Sequence, residues 1–183
     1  MKLTVVAAAA LAVGLVAGSA GMAWSKANPT LPVPSVDAAK DIPNAHELPD
    51  PNTTYKLVFS VAQAAKNPDE VNPTLQAIAR LVNTLAKNGV SADHRRIAAV
   101  FHQGGGEIVM KNDAYRARFG RDNPNIALIH ELKQAGVDLR VCGQGLLGRK
   151  IDQSQVLPDI QVDLWALTTM VNLQMRGYAR IGG

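Results

Sequence analysis

The chain has 183 residues, 47% of them hydrophobic and 19% charged, with a mean hydropathy near zero. At about 100 to 200 residues per domain that leaves room for one domain and a tail, and the composition excludes a disordered, a collagen-like or a polytopic membrane protein. Aromatic residues make up only 4% and the formal charge is +4 with no dense Lys/Arg run, which argues against nucleic acid as a partner.

Lys2 precedes an uncharged stretch from Leu3 to Gly18, and small residues follow at Ser19, Ala20, Gly21 and Ala23. A basic start, an apolar run of about 16 residues and small side chains beyond it describe a secretory signal peptide over residues 1–23, whereas a spanning helix needs about 20 apolar residues. Cleavage after Ala20 or Ala23 removes the charge of Lys2 and leaves no stable membrane anchor, the alternative being an uncleaved anchor, so a periplasmic or secreted location is expected. Residues 24–53 hold six of the ten prolines and read as a tether or a wrap along the domain surface, without helix. The folded domain is expected over residues 54–183.

In chain order, the near-continuous apolar run from Tyr55 predicts a strand covered on both faces. Asn72 and Pro73 then supply an N-cap and a first-turn proline, and Leu75, Ile78, Leu81, Val82 and Leu85 recur at helical spacing until Gly89. Ile97 to His102 reads as a second strand broken by Gly104 to Gly106. A short helix over Asp113 to Phe119 follows, then a longer one from Pro124 with Ile126, Ile129 and Leu132 on one side. Val137 to Cys142 predicts a third strand and Ile160 to Ala166 a fourth. A helix capped by Thr168 or Thr169 runs through Met175, and Tyr178 to Ile181 forms a short last strand. Strands alternating with helices of this length predict an α/β fold, a mainly parallel sheet with helices on both faces. Ligand sites in such sheets lie beyond the carboxyl ends of the strands, which singles out His102 to Gly106, Cys142 to Gly145 and Ala166 to Thr169.

Cys142 is the only cysteine, so within one chain it has no disulfide partner. It follows a strand and precedes Gly143, Gln144 and Gly145, a placement that aims backbone N–H groups at the sulfur and favours the thiolate. The bland alternative is a buried, inert thiol. GQGLLG, residues 143–148, fits G-x-G-x-x-G, but Pro158 cuts the segment short and Asp163 lies inside its strand, so a dinucleotide site is rejected. The four histidines are scattered and one cysteine cannot build a structural zinc site, so neither metal nor cofactor is expected. His102 alone falls at a strand's carboxyl end, where it faces either a sulfur ligand or only its own loop. Arg140, Arg149 and Lys150 flank Cys142 in sequence and offer either a positive field or solvated surface.

The order of YKLVFSV, IAAVFHQGG, NDAYRARFG, AGVDLRVCGQ and the closing LQMRGYA resembles the DsrE/DsrF-like sulfur-relay family, in its exported branch, over Tyr55 to Ile181. The resemblance implies a three-layer fold with a five-stranded parallel sheet, assembly into homo-oligomers (trimers or hexamers), and a cysteine that carries sulfur as a persulfide, which by position is Cys142. His102, Gln103, Gly104, Gly143, Gln144, Gly145 and Thr168 are the residues expected to line the pocket or stabilise its thiolate. The functional expectation is an exported sulfur carrier or sulfurtransferase-like protein with an unidentified sulfur donor and acceptor. Its rival is a non-catalytic ligand-binding or assembly module of the same fold, in which the thiol is structural. A redox sensor ranks third.

Overall fold

The structure, a computed structural model, describes residues 31–182. The leader expected over residues 1–23 and the start of the tether lie outside the described residues. Five strands form one sheet in the order β4-β3-β2-β1-β5, with every pairing parallel. They are β1 (Tyr55–Val61), β2 (Arg95–Phe101), β3 (Asp138–Cys142), β4 (Gln161–Asp163) and β5 (Ala179–Ile181). Between them run α1 (Pro73–Lys87), α2 (Asn112–Phe119), α3 (Ile126–Gln134), α4 (Gly143–Gly148) and α5 (Ala166–Met175).

Asn72 caps α1 as its position before Pro73 predicts, its side-chain oxygen accepting from the N–H groups of Thr74 and Leu75. Leu75, Ile78, Val82 and Leu85 then bury one stripe of the helix, at roughly 1.5 to 3 kcal/mol for each large side chain. Two boundaries differ from the sequence expectation where the difference bears on the site. The fourth strand stops at Asp163 because the chain turns over Leu164 and Trp165. As a result α5 begins at Ala166 with Trp165 at its cap, and neither Thr168 nor Thr169 caps it.

The connectivity explains which face each helix covers. From β1 to β4 the chain moves steadily toward one edge of the sheet, and then it crosses back to place β5 beside β1. Right-handed crossovers in opposite directions put their helices on opposite faces. Accordingly Leu57, Phe59, Val61, Ile97, Ala99, Phe101, Leu139 and Val141 point into the larger core with α1, α3 and Leu146 of α4. Their neighbours Val58, Ala98, Val100 and Cys142 point the other way and cluster with Ala166, Met170 and Leu173 of α5, with Tyr178 beside them. The strand period of two thus assigns Cys142 to the face covered by a single helix.

Residues 31–53 contain no helix or strand and wrap against the larger core. Val33 is fully buried there, and the buried side chain of Asn83 accepts from the Val33 N–H and donates to the carbonyls of Val33 and Val36. A second buried amide network holds the loops above the sheet: Asn123 donates to the carbonyls of Ile108 and Met110, and Asn125 accepts from the Asn72 N–H. Buried amides paired in this way avoid the cost of about 1 to 3 kcal/mol that each unsatisfied group would add.

Candidate functional site at the carboxyl ends of the strands

Cys142 ends β3 and is the N-cap of α4, with only 4% of its surface exposed. Two backbone N–H groups from different elements converge on its sulfur. Gly145 of α4 donates at 3.3 Å and Ala166, the first residue of α5, at 3.2 Å. Donors aimed at one atom from two helix starts stabilise negative charge there, and neither needs to reorganise when the charge develops.

Glycines are a steric requirement of this corner. A Cβ on Gly143 would stand 2.9 Å from the Asp163 carbonyl oxygen, so the absence of a side chain lets α4 pass close to β4. On Gly145 it would stand 3.7 Å from both Cys142 Sγ and the Gln103 nitrogen, so this glycine adjoins both the sulfur and the loop after β2. Gln103 itself adopts a left-handed φ of 47°, turning the chain at once into Gly104 to Gly106. Gly105 packs so tightly on β1 that an added Cβ would fall 2.0 Å from the Val61 carbonyl oxygen.

Asp163 faces the same side of the sheet, since it pairs with Cys142 in the β3–β4 register. Its carboxylate accepts from Arg140 Nη1 at 3.2 Å and from the hydroxyl of buried Thr169 at 2.8 Å. The Gln144 N–H donates to the Leu164 carbonyl at 3.3 Å and closes the corner. Arg140 and Arg149 do not supply a free positive field. Burial alone would lower Arg140, but hydrogen bonds and charge from Asp138 and Asp163 outweigh that and hold it above its ordinary value. Arg149 pairs with Glu107 at 3.1 Å.

Of the residues expected around the sulfur, Gly143 and Gly145 stand against it or its strand, and Gln103 approaches through its backbone. Gln144 and Thr168 are exposed, and the Thr168 hydroxyl turns back to the Trp165 carbonyl. Ala166 donates to the sulfur itself, and Asp163 and Thr169 are joined by a hydrogen bond across the turn that carries it. A strand period of two read from Cys142 points to Arg140 as a same-face neighbour, but Asp163 emerges only with the β3–β4 register.

His102 lies just past β2 on the Cys142 face, its Nε2 at 2.9 Å from Ser60 Oγ. Burial first, then the charge of Arg180 on β5, hold this imidazole below its ordinary value. A depressed base binds fewer protons folded than unfolded, so its contribution to stability is full above the unfolded value of about 6.5 and is lost as pH falls through the folded one. His102→Gln is expected to flatten the fall in melting temperature between about pH 6.5 and pH 4.5. Melts of both proteins across that window check this, and parallel curves would contradict it.

Among the described residues no group of three or more His, Cys, Asp or Glu side chains could hold a metal ion, and no helix is long and apolar enough to cross a membrane.

Fold and corner together define an α/β protein whose one thiol sits at the carboxyl end of an interior strand, gripped by two backbone amides. The model of the DsrE/DsrF-like family matches residues 51–181, and the chain belongs to that family, which in general serves sulfur relay. Among solved structures it is similar to a protein of unknown function, MTH1491, from Methanobacterium thermoautotrophicum, at 21% identity and a TM-score of 0.51, covering 69% of this chain and 97% of that one. That likeness shows the fold. No curated protein matches.

Proposed function

We propose that this protein is an exported sulfur handler, periplasmic or secreted, that accepts or relays sulfane sulfur as a persulfide on Cys142. The observation that carries the reading is the convergence of the Gly145 and Ala166 N–H groups on the only sulfur that can react with a sulfane donor. In the reaction, the Cys142 thiolate attacks the outer sulfur of a donor persulfide R–S–SH. A new S–S bond forms on Sγ, the donor S–S bond breaks, and its electron pair leaves with R–S⁻. The reverse attack by an acceptor thiolate passes the sulfur on, and no external oxidant or reductant is consumed. His102 and Ser60, hydrogen-bonded to each other, stand on the same face of the sheet as Cys142.

The working form in this reading is a homo-oligomer. Leu164, Leu167, Val171 and Met175 make an exposed apolar stripe along α5, with Leu164 77% and Met175 85% exposed and Trp165 beside them. The segment Leu164 to Met175 contains no charged residue, so it suits a contact with another copy of the chain.

The burial of Cys142 favours a second reading, a non-catalytic binding or assembly module with a structural thiol. Alkylation of the native protein against pH separates the two. The sulfur-handling reading predicts measurable modification of Cys142 well below about pH 8, and a packed structural thiol predicts almost none at any pH.

A further inference from the structure

We propose that Asp163 and Thr169 are positioning residues that hold the amino end of α5 on Cys142, a role that rests on reading Cys142 as the reacting atom. The Ala166 N–H reaches Sγ only if the turn between β4 and α5 keeps its place. Three contacts fix that turn from outside it: Thr169, one helical turn into α5, donates to Asp163 Oδ2; Arg140 of β3 donates to the same oxygen; and the Gln144 N–H holds the Leu164 carbonyl. The Asp163 carboxylate therefore ties the sulfur's own strand, through Arg140, to the helix that supplies one of the sulfur's two donors.

Stability alone does not account for this cluster. The Asp163 side chain is 13% exposed and that of Arg140 20%, and a largely buried ion pair loses in desolvation much of what it gains in attraction. Its return is geometric. With the hydroxyl of Thr169 and the guanidinium of Arg140 both on one carboxylate oxygen, α5 has one seating relative to β3, and the Ala166 N–H has one direction.

Thr169 is the clean probe, because replacing Asp163 or Arg140 changes charge beside the sulfur as well as position. Thr169→Val keeps the shape and removes the donor; Thr169→Ser keeps the donor. The thiolate's ultraviolet absorbance, titrated in each protein and corrected with Cys142→Ser, reports charge on the sulfur whether or not it carries persulfide. Thr169→Val is expected to show about fivefold less thiolate than the native protein at pH near 7, the effect of weakening one hydrogen bond of ordinary strength, and faster amide exchange at Ala166. Thr169→Ser is expected to follow the native curve. Superimposable native and Thr169→Val titrations, or an equal change in Thr169→Ser, overturn the positioning role. Failure of the native protein to take up sulfane sulfur would instead count against the function and leave this titration standing.

Discussion

Gly105→Ala is expected to lower the stability of the protein by about 3 kcal/mol or more, which for a chain of this size is a fall of roughly 6 to 12 °C in melting temperature. Gly105 lies in the turn after β2, its N–H donating to the carbonyls of Ala62 at 3.1 Å and His102 at 2.9 Å. An added methyl carbon would sit 2.0 Å from the Val61 carbonyl oxygen, well inside contact distance, and that oxygen belongs to a central strand. A flexible side chain could swing aside; the backbone of β1 cannot. Relief requires the turn to lift away from β1, taking with it Gln103, whose nitrogen lies beside Gly145. Thermal and denaturant unfolding measure the loss, and a variant within about 0.5 kcal/mol of the native protein would show that the turn does not press on the strand.

The second large effect is on assembly. Leu167→Glu combined with Val171→Glu is expected to weaken self-association by at least about 100-fold, because a contact between copies buries the introduced carboxylates without a partner. Both side chains are about half exposed in the single chain, so its own fold should change by less than about 0.5 kcal/mol. Light scattering during size exclusion reads the result: a trimer or hexamer for the native protein and a smaller species for the variant, each with native-like circular dichroism. A native protein that runs as a monomer, or a variant of unchanged mass, would remove α5 as the interface.

Much of the architecture was legible because it depends on short-range rules. The Asn72-Pro73 start of α1, the apolar stripe behind it and the strand at YKLVFSV follow from capping, helical spacing and β-branched content, and the structure places all three where those rules do. The parallel sheet followed from the alternation of strands and helices. What could not be read was anything set by register or by the end of a short element. β4 is three residues long, and the apolar run Ile160 to Ala166 hides the turn at Leu164 and Trp165 that converts its second half into a helix start. Without that turn, Ala166 is one more strand residue and Thr168 looks as close to the sulfur as Thr169.

The site shows the same division. Cys142 stands out in the sequence as the sole cysteine, after a strand and before glycines. Its second N–H donor comes from 24 positions further along, and its carboxylate neighbour from the adjacent strand. Arg140 and Arg149 illustrate the converse: sequence proximity suggests a positive field at the sulfur, and their ion pairs with Asp138, Asp163 and Glu107 neutralise it. Asn83, which pins the proline-rich wrap over residues 31–53, gives no signal within the amphipathic pattern of α1, because only the fold brings Val33 to it.

The most direct measurement is the intact mass of the purified protein after exposure to polysulfide and removal of the excess, with tandem fragmentation to locate the adduct and Cys142→Ser as control. One added sulfur on Cys142, released by a small thiol and missing from the control, is the predicted result. A native protein that gains no sulfur across the range from about pH 6 to pH 9, while its thiol still reacts with an alkylating reagent, would contradict the assignment of sulfane transfer to this site.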